Sequence, residues 1–218
     1  MHPETKQGYF SYGVLDNKDP YHHEILNNIS WYAETGVQPQ YIYRHRLTDY
    51  LPADCQLCKV AINIRKFKQS SRGVFFNQAY GANTGHIAQA FAGTMIRNKI
   101  PARVMQLGEA LQQLKERGLY ASPVYVLTYP TRYNGNVTNF NMASLFDLLT
   151  WAERKDVFLV LVNDSSLTDT LNLNYEEDNY LKVDLQLSRA SKHGNQTKTT
   201  GRGTRRSNTR RSNQGIGF

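Results

Sequence analysis

Acidic residues stop early in this chain: the last is Asp184, although the chain runs on to Phe218. Eight cations follow it: Arg189, Lys192, Lys198, Arg202, Arg205, Arg206, Arg210 and Arg211. Setting those eight aside leaves 18 basic residues against 18 acidic ones, so the tail carries the whole net charge of +8. A uniformly basic body is excluded, and any general attraction to polyanions belongs to the tail. Long hydrophobic runs are also missing. No stretch reaches the roughly 18 apolar residues that span a bilayer, and Met1–Gln7 lacks the basic-then-apolar order of a signal peptide. The expectation is a soluble, cytoplasmic chain with no membrane partner.

Cysteine is scarce. Cys55 and Cys58 are the only two, in a lone Cys-x-x-Cys. A tetrahedral zinc site needs two further ligands, and His22, His23 and His45 offer no recognisable ligand spacing. A redox pair belongs at a strand-to-helix turn, whereas Pro52-Ala53-Asp54 reads as the start of a helix containing both cysteines. No metal site is expected, and the thiols are read as half-buried neighbours one turn apart. His22-His23 is weighed in the same way: surface histidines of a docking segment are preferred to a metal pair.

What the chain does have is alternation of strands and helices. Residues 1–35 are polar and rich in Tyr, His and Asn, with a short helix predicted near His22–Ala33. From Gly36 the apolar pattern tightens. Asp54 is placed to cap a helix that carries Leu57, Val60, Ala61, Ile64 and Phe67 on one face and Arg65, Lys66 and Lys68 in its last turn. Strands are predicted at Val74–Phe76, Arg103–Leu107, Val124–Leu127 and Val157–Val162, and helices at Gly85–Asn98, Gly108–Gly118 and Phe140–Arg154. Continuous apolar runs such as Val-Phe-Leu-Val-Leu-Val suit strands buried on both faces. The order is that of an α/β domain with a mostly parallel sheet. Lys182–Ala190 is left as a helix or an edge strand. Residues 191–218, with almost no apolar side chains, are predicted to be disordered.

Ligands of such sheets bind beyond the C-terminal ends of the strands, so the loops after Phe76, Leu127 and Val162 matter most. The first has the outline of a phosphate loop, which requires Gly-x-x-x-x-Gly-Lys-Ser/Thr. With Thr84-Gly85 at its end, Tyr80 stands at the first glycine, His86 at the lysine and Ile87 at the hydroxyl. The second loop reads Thr128-Tyr129-Pro130, without a carboxylate for magnesium. The third keeps polar groups, Asn163-Asp164-Ser165. A degenerate nucleotide site is therefore expected at Gly81, Asn83, Thr84, Gly85, His86 and Asn163, and nucleic-acid contacts at Arg202, Arg205, Arg206, Arg210 and Arg211, as in Arg/Gly segments that track phosphates. A rim enzyme using His86 or Asp164 as general base is a third alternative, weakened because no partner orients the histidine.

Gly36–Ala190 resembles the AAA+ ATPase domain of bacterial replicative helicase loaders and the related transposition helper ATPases. The likeness lies in Pro39–Asp54, Ser70-Ser71-Arg72-Gly73, Asn83-Thr84-Gly85-His86-Ile87-Ala88-Gln89-Ala90, Ile96-Arg97-Asn98-Lys99-Ile100-Pro101-Ala102-Arg103-Val104 and Asn163-Asp164-Ser165-Ser166-Leu167. It implies a P-loop NTPase-like three-layer α/β sandwich at 36–190, preceded by an N-terminal extension at 1–35 and followed by the basic tail at 191–218. It also implies a hexameric helicase or an active loader-type ATPase as partner, single-stranded DNA, self-association, and a late arginine for which Arg189 is the candidate. The departures at Tyr80, His86, Ile87, Thr128 and Tyr129 point away from hydrolysis. No catalytic residue and no cofactor are expected, with binding of ATP or ADP without cleavage left as an open alternative. The resulting expectation is a non-hydrolysing accessory of replication or transposition. The alternative is an unrelated α/β scaffold that binds nucleic acid through its tail.

Overall fold

The apolar runs around Val126 and Val160 become the middle of a sheet. In the computed structural model, which describes residues 15–16, 18–78, 84–129, 139–163 and 179–185, they form β3 (Val124–Tyr129) and β4 (Phe158–Asn163). With β1 (Gly73–Gln78), β2 (Ala102–Gln106) and β5 (Tyr180–Leu185) they make a five-stranded sheet in the order β2-β3-β4-β1-β5. All four pairings are parallel. The undecided stretch after Tyr180 thus contains an edge strand.

Parallel strands require crossovers, and helices supply them. Helix α6 (Thr84–Arg97) links β1 to β2, α7 (Leu107–Glu116) links β2 to β3, and α8 (Asn139–Arg154) precedes β4. The two sheet faces carry separate cores. Val74, Phe76, Val126 and Val160 join Ile87, Phe91 and Met95 of α6 on one side. Phe75, Tyr125, Leu127 and Leu159 join Ala110 of α7 and Leu145, Leu148 and Leu149 of α8 on the other. This is the expected three-layer sandwich. From β1 the chain crosses to the far edge, and from β4 it steps over β1, so the strand order reverses between β1 and β4. Ligands of open α/β sheets bind at that switch point.

The N-terminal region packs on the α6 layer. Asp19 caps α1 (Pro20–Asn27) by accepting from the Tyr21 N–H, and α2 (Ile29–Ala33) follows it. The single helix expected here is two, broken at Asn28, whose φ of −110° and ψ of 23° leave the helical region. Ile25, Leu26 and Ile29 enter the first core. His22 closes the preceding turn, its Nδ1 accepting from the Asp16 N–H at 2.6 Å. Thr35 and Gly36 then cover the outer edge of β2, where the Val104 N–H donates to the Thr35 carbonyl at 2.9 Å. Gly36 has φ of +79°, and a Cβ there would fall against the Val104 carbonyl oxygen. This contact engages one outward N–H of the edge strand and lays chain against it, one of the ways sheet edges are protected.

Helix α3 (Pro39–Tyr43) was not apparent from periodicity because it has just five residues. Its last carbonyls, Tyr41 and Ile42, accept from the Arg97 guanidinium at 2.8 and 3.0 Å. Burial lowers the pKa of that arginine to about 10. The expected long helix after Asp54 also differs. It is two helices, α4 (Gln56–Ile62) and α5 (Ile64–Ser70), broken at Asn63, whose φ of −121° and ψ of 33° lie outside the helical region. Asparagine competes for backbone partners and favours such boundaries. Cys55, not Asp54, is the N-cap, so Cys58 alone lies within the helix. Among the described residues no helix is long and apolar enough to cross a membrane.

Candidate functional site

The C-terminal rim is organised by register. Tyr129 of β3 pairs with Asn163 of β4, Asn163 with Asn77 of β1, and Asn77 with Asp184 of β5. Asn163, read from the sequence as a loop residue after Val162, is the last residue of the central strand β4. Asn77 and Asp184 share its backbone row and went unnoticed, because a single sequence carries no signal for strand register. Thr128 and Tyr129 are both half-buried at the end of β3.

Thr84, Gly85 and His86 form the first turn of α6, just beyond β1. Gly81 and Asn83 lie outside the described residues, as do Tyr80, Asp164, Arg189 and the tail residues Arg202, Arg205, Arg206, Arg210 and Arg211. Gly85 and His86 are exposed, and Ile87 is fully buried in the first core. Ile87, which the sequence sets against the hydroxyl position of a phosphate loop, is thus a core side chain.

His86 does not extend freely over the rim. Its Nδ1 is hydrogen-bonded to the Tyr41 hydroxyl, and its ring stacks on Tyr50 with centroids 5.4 Å apart and planes 8° from parallel. His45 completes the cluster, 5.1 Å from Tyr41 and 5.9 Å from Tyr50 between centroids, with its Nδ1 3.9 Å from Asp49. Burial and the neighbouring Tyr50 push the Tyr41 phenol up to about 12. It keeps its proton at neutral pH and can donate to a bare Nδ1.

The segment that brings these aromatics to His86 is held onto α6 by three features. Gln89 accepts from the Gln38 N–H at 2.8 Å and donates to the Gly36 carbonyl at 2.7 Å. Gly93 lets α3 lie close, since a Cβ there would strike the Tyr41 carbonyl oxygen. Arg97 then ties down that same carbonyl from the next turn. The partners of His86 escaped sequence reasoning. The available signal was the aromatic density of 41–50, but nothing local links it to a helix starting at Thr84.

Among the described residues no three His, Cys, Asp or Glu side chains are grouped to hold a metal ion. Cys58 is buried, and burial pushes its thiol up to about 11. The basic end of α5 is partly engaged in structure: Lys68 pairs with the Asp156 carboxylate at 2.8 Å and donates to its carbonyl at 2.6 Å.

No family model matches the chain, and no curated protein matches it in sequence. Among solved structures it is similar to a DNA replication initiation factor, at 11% identity and a TM-score of 0.46, over 69% of this chain and 51% of that one. It is similar to DnaI at 12% identity and 0.43, over 68% and 92%. A putative primosome component from Streptococcus pyogenes serotype M3 is matched at 10% identity and 0.44, over 71% and 94%. The chain spans about half the length of the first of these.

Proposed function

We propose that this chain is a cytoplasmic, non-hydrolysing, helicase-loader-like accessory protein that acts in DNA replication or transposition by binding a partner protein and nucleic acid. The observation that carries the reading is the engagement of His86. The side chain at the lysine position of the P-loop frame is bonded to Tyr41 and stacked on Tyr50. Phosphoryl transfer needs a cation on the terminal phosphates and ligands for magnesium. Here the cation's position holds an imidazole whose Nδ1 is bonded to Tyr41 and whose ring is stacked on Tyr50. The hydroxyl position holds buried Ile87, and β3 ends in Thr128-Tyr129. These residues do not fit a magnesium–nucleoside triphosphate, and no chemical step is assigned to them.

What the frame retains is surface. The protein partner in this reading is a replicative helicase or an active loader-type ATPase. The nucleic-acid partner is held by Arg202, Arg205, Arg206, Arg210 and Arg211, whose contribution comes from neutralising phosphates and is independent of sequence.

Two measurements test the reading. Phosphate release from ATP is expected to stay at the level of the blank, and turnover that disappears in His86→Ala would overturn it. Single-stranded DNA is expected to bind with an affinity that falls steeply with salt, and the slope should shrink by about 0.7 for each tail arginine replaced by alanine. A salt-independent affinity would remove the nucleic-acid half of the proposal.

A further inference from the structure

Helices α7 and α8 run side by side over the second core, and each uses two adjacent stripes. α7 buries Leu107 and Ala110 and leaves Leu111 and Leu114 half-buried on its flank. α8 buries Leu145, Leu148, Leu149 and Ala152 and leaves Trp151 half-buried. The Trp151 ring meets the buried Tyr125 edge-on, with centroids 5.6 Å apart and planes at 89°, which fixes its orientation. Between the two flanks lies an open groove of about 810 Å³ with Leu111, Leu114 and Trp151 among its lining.

The charges around it are not symmetric. Lys115, Arg154 and Lys155 line it where both helices finish, and Asp147 lines it nearer the middle of α8. Cations at helix C-termini have an ordinary role in complementing the helix dipole. That role gives no reason for an apolar floor, which leaves leucine and indole surface in water. A third helix seated between two others at the usual 8–10 Å packing distance would cover it. The lining residues on α8 run from Ala143 to Arg154, about 17 Å at the helical rise, or about three turns.

We propose that this groove receives a short amphipathic helix of a partner protein, with leucine-class side chains on one stripe and acidic residues at the end beside Lys115, Arg154 and Lys155. The inference deepens the protein-binding half of the proposed function and rests on it. A nucleic-acid strand fits less well, because Leu111 and Leu114 offer bases no stacking platform and the Trp151 ring is already packed edge-on against Tyr125.

The test uses the full chain carrying Trp31→Phe, which leaves Trp151 as the remaining indole. The probes are two synthetic amphipathic peptides of about 14 residues, identical except for glutamates or lysines in the last turn. The acidic peptide is expected to shift Trp151 emission saturably and to bind about tenfold tighter than the basic one. Leu114→Glu is expected to weaken it by at least about tenfold. Arg154→Glu with Lys155→Glu, a surface pair that leaves the core untouched, is expected to reverse the preference. No saturable shift, equal binding of the two peptides, or an unchanged preference in the charge-reversed pair would overturn the groove. So would displacement of the acidic peptide by an oligothymidylate. A replicative helicase that binds Leu114→Glu as tightly as the native chain would keep the protein-binding reading and remove the groove.

Discussion

The imidazole of His86 lies flat on the ring of Tyr50, with centroids 5.4 Å apart and planes 8° from parallel. A side chain in the first turn of α6 is thereby tied to the segment that precedes the sheet. His86→Ala removes this stack and the bond to Tyr41 and is expected to destabilise the fold by about 1–2 kcal/mol in urea titrations. His86→Lys is expected to give no ATP turnover, since Ile87 stays buried and β3 still ends without a carboxylate. Hydrolysis by His86→Lys alone would show that the rest of the rim is competent.

Two glycines hold the N-terminal segment in place by having no side chain. Gly93→Ala sets a methyl against the Tyr41 carbonyl, and Gly36→Ala combines the same kind of clash at Val104 with a φ of +79°. Each is expected to cost about 1–3 kcal/mol. Gly93→Ala should also detach Tyr41 from His86, which nuclear magnetic resonance shifts of the His86 ring would register. Thermal melts unchanged in both variants would contradict the close packing.

Alkaline pH should loosen the same contact. Tyr41 ionises near 12 in the folded chain against an ordinary value of 10.0. The folded state therefore binds the proton more tightly, and the stabilisation is complete below pH 10 and is lost as pH rises from 10 toward 12. Tyr21 and Cys58 are raised as well and add to the same slope. In Tyr41→Phe the fall in urea midpoint across this window is expected to be shallower than in the native chain. An identical slope would count against the buried phenol.

The two thiols should be distinguishable by reactivity. Cys58 is buried with its thiol raised to about 11, whereas Cys55 is partly exposed. The thiolate is the reacting form, so iodoacetamide near pH 8 is expected to modify Cys55 in the folded chain and both cysteines only in denaturant. Mass spectrometry after brief labelling decides this. Equal labelling under native conditions would mean that α4 opens readily.

Much of the frame is legible in the residues themselves. Val124–Leu127 and Val157–Val162 announce buried strands by having no polar alternation, and the spacing of Ile87, Phe91 and Met95 announces α6. Composition alone separates the Arg-rich tail from the body. Local pattern failed where a competing local preference or a short length intervened. Asn63 ends α4 one residue after Ile62, and the five residues of α3 complete too few turns to show a period.

Tertiary structure decided the rest, because register and stacking join residues far apart in the chain. Asn77, Asn163 and Asp184 share one backbone row once three strands lie in parallel register. Tyr41 meets His86 across 45 positions, because Gly93 admits the backbone and Arg97 binds it. The sequence by itself determined that a histidine stands two residues after Thr84, near the start of a helix. That its ring is held by two tyrosines was decided by the packing of the 41–50 segment on α6, a contact between distant segments that no local periodicity encodes.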